Sequence, residues 1–212
     1  GYVHHMYSFW ADLLRVKRDL NDNVGQLYGD SYIEWLKEQI RANTPYNKLT
    51  KNVLGANGNI WENPATGYLL RDLGMPLDNL SNTTQIFLGI DMACAQCHDH
   101  PFDEWTQMDF YKTVAFFAQV QTKNSQDGVK EHGKKGIENK LNNYLRTIYE
   151  YGVDSKPNGR LRLPDDYAYR DADPKSVVFA SAPYGTRVKE SRNKHKREKD
   201  PHNLRRSFVD WV

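Results

Sequence analysis

The segment that most constrains this chain is the pentapeptide Cys94-Ala95-Gln96-Cys97-His98, which contains both cysteines of its 212 residues. A histidine directly after the second cysteine of a Cys-x-x-Cys pair is the attachment signature of a c-type haem. In that chemistry the two thiols form thioethers with the porphyrin, and the histidine binds the iron as an axial ligand. Because positions three and four apart share one face of a helix, we expect a helix that presents Cys94, Cys97 and His98 to one macrocycle.

Three other interpretations of the pentapeptide stay open. A redox dithiol is typical of a βαβ context, whereas the surrounding sequence has a helical pattern. A disulfide is compatible with a secreted chain. A zinc ion could be bound by Cys94, Cys97, His98 and His100, although structural zinc sites usually draw on two separated ligand pairs.

Charge and hydropathy exclude some classes of function. The formal net charge of +2 is small for this length and gives no global argument for nucleic acid or an acidic membrane as a partner. No apolar run approaches the roughly 20 residues of a membrane-spanning helix. No signal peptide is visible, and we therefore expect an internal segment or a processed product.

Hydrophobic periodicity predicts a mainly α fold. The predicted helices cover residues 5–20, 32–42, 45–55, 64–74, 78–98, 106–121 and 138–151. Ser31 and Glu34 are expected to form a capping box, as are Thr106 and Asp109. The helix over 78–98, with Asp78 as its expected N-cap, would carry the pentapeptide.

The second half of the chain has a different pattern. Residues 123–152 are predicted as a polar loop and a helix, and residues 153–212 as an extended, Pro/Gly-rich tail with room for one short hairpin. Within that tail, the Lys- and Arg-rich stretch 187–206 suits a solvated linker or a docking surface for an acidic partner. Residues 204–211 have the pattern of a helix. We therefore expect an irregular helical domain over 1–122, built around one covalently attached haem, and a tail that leads towards a following domain.

The ligand on the far side of the iron would decide the chemistry. His98 is the expected proximal ligand, and Met75 and His5 are the candidates for the sixth position, with an open or water-bound site as the rival. His100 is too close to His98 to reach the opposite face, so we expect it to bond a propionate, cap a loop or meet a second metal. Trp105 is expected to pack on the edge of the ring.

Several stretches around the pentapeptide resemble one family, the planctomycete secreted cytochrome-like domain. The stretches that carry the resemblance are Phe87-Leu88-Gly89, Cys94 through Asp103, Trp105-Thr106-Gln107, Asp109-Phe110-Tyr111 and Ala115-Phe116-Phe117. The resemblance covers roughly residues 5–122 and implies a secreted haem protein with a mainly helical fold. It does not supply a substrate.

These observations favour a periplasmic or extracellular c-type haem protein that transfers electrons through a single haem c. Its partner would be a redox protein or an adjacent domain of the same parent chain, within a larger assembly. The alternatives are a haem-dependent redox enzyme, a small-ligand-binding module with an open sixth position, and a structural module stapled by a metal.

Overall fold

The structure, a computed structural model, describes residues 1–18, 23–72, 75–122, 151–156, 158–185 and 203–212. Helices dominate these residues and the few strands are short, so the prediction of a mainly α chain is confirmed at that level. The helix predicted over 138–151 and the basic stretch 187–206 lie almost entirely outside the described residues. None of the described helices combines the length and apolarity that a bilayer crossing requires.

The chain divides into two compact units, each made of two separate stretches of sequence. Unit 1 comprises Gly1–Gly74 and Gln121–Asp154, and unit 2 comprises Met75–Val120 and Ser155–Val212. The pentapeptide belongs to unit 2, together with part of the region that the sequence suggested was a tail.

Unit 1 is built on three helices: α1 (Tyr2–Leu13), α2 (Asn23–Arg41) and α3 (Tyr46–Leu54). A short turn of 3-10 helix at Pro64–Thr66 leads into α4 (Gly67–Leu70). The core side chains that these elements bury include Tyr32, Leu36, Val53, Leu54 and Tyr68. Strand β1 (Gly58–Asn59) pairs antiparallel with the later strand β3 (Gly152–Ser155), with Gly58 opposite Val153.

Two predicted helix boundaries in unit 1 were wrong: the end of the first helix and the start of the second. The first helix begins at Tyr2 and ends at Leu13, and Arg15 just beyond it has a positive φ of 50°, which no α-helix contains. The second begins at Asn23, so Ser31 lies inside α2 and its predicted capping box with Glu34 is not a helix start. Serine favours the N-cap of a helix but also occurs inside helices, so the Ser31–Glu34 pattern placed the start of this helix too late.

Unit 2 contains α5 (Pro76–Leu88), α6 (Gln107–Val114) and α7 (Asn203–Trp211), and turns of 3-10 helix at Cys94–Gln96 and Ala115–Phe117. Strand β2 (Val120–Thr122), which belongs to unit 1 from Gln121 onwards, completes the order β1-β3-β2 in the three-stranded sheet. Strands β4 (Leu161–Arg162) and β5 (Val177–Val178) form a separate antiparallel pair, the expected short hairpin. The helix predicted over 204–211 is α7.

The predicted single helix over 78–98 was wrong. Helix α5 ends at Leu88 because Gly89 adopts the left-handed conformation, with φ 67° and ψ 19°, and its N–H bonds to Thr84. Glycine reaches this conformation without the steric cost that other residues have, which is why it commonly ends helices. At the other end Met75 is the N-cap and Pro76 the first helical residue, so Asp78 lies in the first turn and is not the cap.

Candidate functional site

The two cysteines lie on a short surface turn. The segment Cys94–Gln96 is a turn of 3-10 helix, and the Cys97 and His98 amides both donate to the Cys94 carbonyl, at 3.3 and 3.4 Å. Side chains three apart are eclipsed in a 3-10 helix, and Cys97 follows this turn directly as its C-cap, so we expect Cys94 and Cys97 to share one side although no α-helix carries them. Both thiols are exposed and free. We call residues 94–98 the motif turn.

Buried neighbours fix the motif turn to unit 2. Ala95 and Met92 are both 0% exposed and belong to the core. The Gln107 amide side chain, from the first residue of α6, donates to the Gln96 carbonyl at 3.1 Å. The turn is therefore held by the burial of Ala95 and by the hydrogen bond from α6, while its thiols and its imidazole are exposed.

His98 is exposed, and one of its ring nitrogens is engaged. Its Nδ1 lies 2.7 Å from the backbone carbonyl oxygen of Asp99. A carbonyl only accepts, so Nδ1 carries a proton, and in the neutral ring this leaves the lone pair on Nε2. A histidine ligand to a metal usually has this arrangement, with the non-coordinating nitrogen donating to a carbonyl or carboxylate.

Asp99 is anchored from two further elements. Its Oδ1 accepts from the backbone amide of Gln107 at 2.8 Å, and its own amide donates to the Tyr169 hydroxyl at 2.7 Å. Helix α6 begins at Gln107, and its N-cap Thr106 forms the predicted capping box: Thr106 accepts from the Asp109 amide, and the Asp109 carboxylate accepts from the Thr106 amide. The start of α6 therefore holds the residue that follows the candidate ligand.

His100 closes the loop after the motif turn. Its amide donates to the Trp105 carbonyl at 2.8 Å, and its Nδ1 accepts from the Phe102 amide at 3.2 Å. Of the three roles expected for His100, this contact corresponds to the capping of a loop. Trp105 is 7% exposed and, with Tyr184, lines a cavity of about 340 Å³, the two rings meeting edge to face at 5.4 Å. The contact of Trp105 with a porphyrin edge stays a prediction.

Three tyrosines lie near the motif turn, and the sequence analysis missed two of them, Tyr167 and Tyr169. Burial, the Cys97 thiol and Asp166 raise the pKa of Tyr111. Tyr167 donates to Asp171 at 2.7 Å, and burial followed by this bond raises its pKa. The Tyr167 and Tyr169 rings meet at 5.6 Å. The acidic and aromatic run at 165–171 was the available signal, but it has no spacing that points to a distant turn.

The two candidates for the sixth iron ligand lie in different units. Met75, the N-cap of α5, belongs to unit 2 with the motif turn and is 49% exposed. His5 is exposed on α1 of unit 1. The sixth position therefore stays a prediction for both residues.

The exposed residues of the motif turn are compatible with the attachment of a c-type haem. A haem c needs two accessible thiols on one side of a turn and a neighbouring imidazole with a free Nε2, and Cys94, Cys97 and His98 provide these. Across the described ranges of the chain, no group of three or more His, Cys, Asp or Glu side chains is arranged to hold one metal ion. The zinc interpretation therefore lacks its ligand cluster there.

The fold and the site define a mainly helical protein with a Cys-x-x-Cys-His turn on the surface of unit 2. The PSCyt2 family, described as a protein of unknown function (DUF1549), matches residues 1–122, and the chain belongs to this family. Membership confirms the coarser prediction of a planctomycete-type domain, while the haem is a separate proposal. No curated protein and no solved structure matches the chain.

Proposed function

We propose that this chain is a c-type haem protein that transfers electrons through one haem c, attached to Cys94 and Cys97 and bound axially by His98. The observation that carries the proposal is the 2.7 Å contact of His98 Nδ1 with the Asp99 carbonyl. It leaves Nε2 available next to two free, exposed thiols on the same turn. The haem would supply an iron that changes oxidation state by one electron.

The protein groups have separate roles in this proposal. The two thiols would each form a thioether and so fix the porphyrin at the surface of unit 2, close to a partner. The Asp99 carbonyl accepts the Nδ1 proton and so increases the basicity of Nε2. Trp105 stays the candidate for a contact with the edge of the ring, and Met75 and His5 stay the candidates for the sixth position.

The proposal carries consequences for location and partners. Haem of this type is attached outside the cytoplasm, so the protein would be periplasmic or extracellular. Its electrons would go to a redox partner protein or to an adjacent domain of a longer parent chain.

A carbon monoxide titration separates this proposal from its alternative. The full chain is produced in a periplasm that contains the c-type haem maturation machinery, and spectra of the reduced protein are recorded with and without the gas. A six-coordinate iron that does not respond to the gas is the expected result for electron transfer. Rapid binding would contradict the electron-carrier role and favour an open site for a small ligand or a redox enzyme.

A matched pair of histidine variants tests the axial ligand. His98→Gly should lose the low-spin spectrum and regain it with added imidazole, because the free base can fill the space that the side chain leaves. His100→Ala serves as the control, since His100 is engaged in the loop, and its spectrum should stay unchanged. A normal spectrum in His98→Gly without imidazole would show that another residue binds the iron.

A further inference from the structure

In the part of the chain that the structure describes, Tyr169 from the C-terminal half forms a hydrogen bond with Asp99, the residue that follows the motif turn. Its hydroxyl accepts the Asp99 amide proton at 2.7 Å, across a sequence separation of 70 residues. Both residues belong to unit 2. Tyr169 lies outside the 1–122 segment that the family matches, so this contact is a property of the region that follows the family segment.

Asp99 is fixed at its amide, at its side chain and through its neighbour. Tyr169 holds the amide, and the Gln107 amide at the start of α6 holds the carboxylate at 2.8 Å. The backbone amide of the next residue, His100, donates a hydrogen bond to the Trp105 carbonyl at 2.8 Å. The peptide groups on the two sides of the Asp99 Cα therefore each form a hydrogen bond with another part of the chain.

An exposed imidazole needs such a fixed acceptor. His98 is exposed, and an exposed ring has little packing to restrict its rotamers or to select one tautomer. The hydrogen bond of the His98 ring is to the carbonyl of the adjacent residue, Asp99. It restricts the ring only if the Asp99 carbonyl is itself held in one orientation. The orientation of the ring thus depends on the contacts of Asp99.

From this arrangement we propose that Tyr169 is a positioning residue for His98: its hydroxyl holds the backbone amide of Asp99, and the Asp99 carbonyl keeps the proton on Nδ1 and directs Nε2 outwards as a metal ligand. The role of Nε2 rests on the haem function proposed above. The selection of the tautomer does not, because the contacts belong to the protein alone.

The haem-free full chain tests the tautomer directly. Two-bond ¹H–¹⁵N correlations at about pH 8.5, where imidazoles are mostly neutral, distinguish Nδ1–H from Nε2–H, and the loss of signals in His98→Gln assigns the ring. In the wild type the Nδ1–H form should predominate. In Tyr169→Phe the ratio of Nδ1–H to Nε2–H should fall about two- to fivefold, the size of effect of one hydrogen bond.

Tyr167→Phe is the matched control, because it removes a hydroxyl from the same segment that bonds Asp171 and not Asp99. Its tautomer ratio should equal that of the wild type. An unchanged ratio in Tyr169→Phe, or an equal fall in both variants, would overturn the proposal. If Tyr169→Phe fails to fold, Asp99→Ala removes the anchor to α6 and should lower the ratio in the same way.

The haem-loaded protein gives a second measurement. A weaker Nδ1 donor makes Nε2 a poorer electron donor to the ferric iron, so Tyr169→Phe should raise the midpoint potential relative to the wild type and Tyr167→Phe. If the chain never takes up haem, the proposed function fails while the tautomer result still decides the role of Tyr169. If haem binds and neither tautomer nor potential changes, the positioning role fails alone.

Discussion

At the scale of single residues, unit 1 buries polar groups with very different partners. The Arg71 guanidinium donates to the Leu14 carbonyl at 2.5 Å, pairs with Asp72 and lies 4.7 Å from the centre of the Tyr68 ring. Tyr32 is 2% exposed, and its hydroxyl has no hydrogen-bond partner among the residues that the structure describes. A buried hydroxyl without a partner keeps its full desolvation cost.

Tyr32→Phe should therefore stabilise the protein. Removing the unbonded hydroxyl while keeping the ring should raise the free energy of unfolding by about 1 kcal/mol, measured by urea unfolding of the full chain near neutral pH. Tyr7→Phe is the control, because Tyr7 is only half-buried, and it should change stability by less than about 0.5 kcal/mol. A clear loss of stability in Tyr32→Phe would mean that the hydroxyl has a partner.

The same residue predicts a difference at high pH. Burial raises the pKa of Tyr32 above its ordinary value of 10.0, so the folded state keeps the phenol neutral where the unfolded chain ionises it. The contribution to stability is complete below pH 10 and is lost progressively as the pH rises further. The advantage of Tyr32→Phe over the wild type should consequently grow between about pH 10 and 11, as measured by urea unfolding at several pH values. A constant difference would contradict the burial of this hydroxyl.

At the scale of elements, Gly89 decides where α5 ends and hence how the motif turn begins. Its φ of 67° is left-handed, and a Cβ built on Gly89 would have no neighbour within 4 Å. The cost of a side chain at this position is therefore one of backbone conformation and not of crowding.

Gly89→Ala should lower the free energy of unfolding by about 1 kcal/mol, the usual cost of a left-handed alanine. Gly89→Asn should cost less, because asparagine enters this region more readily. Urea unfolding of the two variants checks the order. Equal stability of all three proteins would contradict a left-handed helix end and would support a helix that continues towards Cys94.

Local patterns predicted some boundaries of these elements and not others. Thr106 and Asp109 identified the start of α6 because a capping box is complete within four residues. The role of Gly89 was ambiguous in the sequence, because a glycine can lie inside a helix at some cost in stability or can end the helix. The pentapeptide was identified from five residues, but it was expected on an α-helix and lies on a turn of 3-10 helix. The contact of Asp99 with Tyr169 depends on the tertiary fold, which no local pattern contains.

At the scale of the whole molecule, unit 2 is assembled from two distant stretches of chain. Phe208 on α7 is 0% exposed, and its ring meets those of Phe116 and Phe117, each at 5.3 Å. The apolar pattern predicted both helical segments. It did not predict their pairing, because periodicity identifies a buried face without naming the face that covers it. For the same reason residues 153–212 were expected as an extended tail.

Phe208→Ala tests this assembly. Removing a fully buried phenylalanine should cost about 3–5 kcal/mol and should speed hydrogen–deuterium exchange in the 3-10 turn Ala115–Phe117 as well as in α7. Trp211→Ala, on the half-exposed side of the same helix, should have a smaller effect. If exchange in Ala115–Phe117 is unchanged in Phe208→Ala, α7 does not contribute to the core of unit 2.

The central claim is that Cys94 and Cys97 hold a porphyrin covalently, and the intact mass of the denatured chain tests it most directly. After production with the c-type haem maturation machinery, the wild type should be heavier than its polypeptide by about 616 Da, the mass of one haem. The Cys94→Ala/Cys97→Ala double variant should have the bare polypeptide mass. A wild-type chain of bare mass, from cells that mature a control cytochrome normally, would contradict the account.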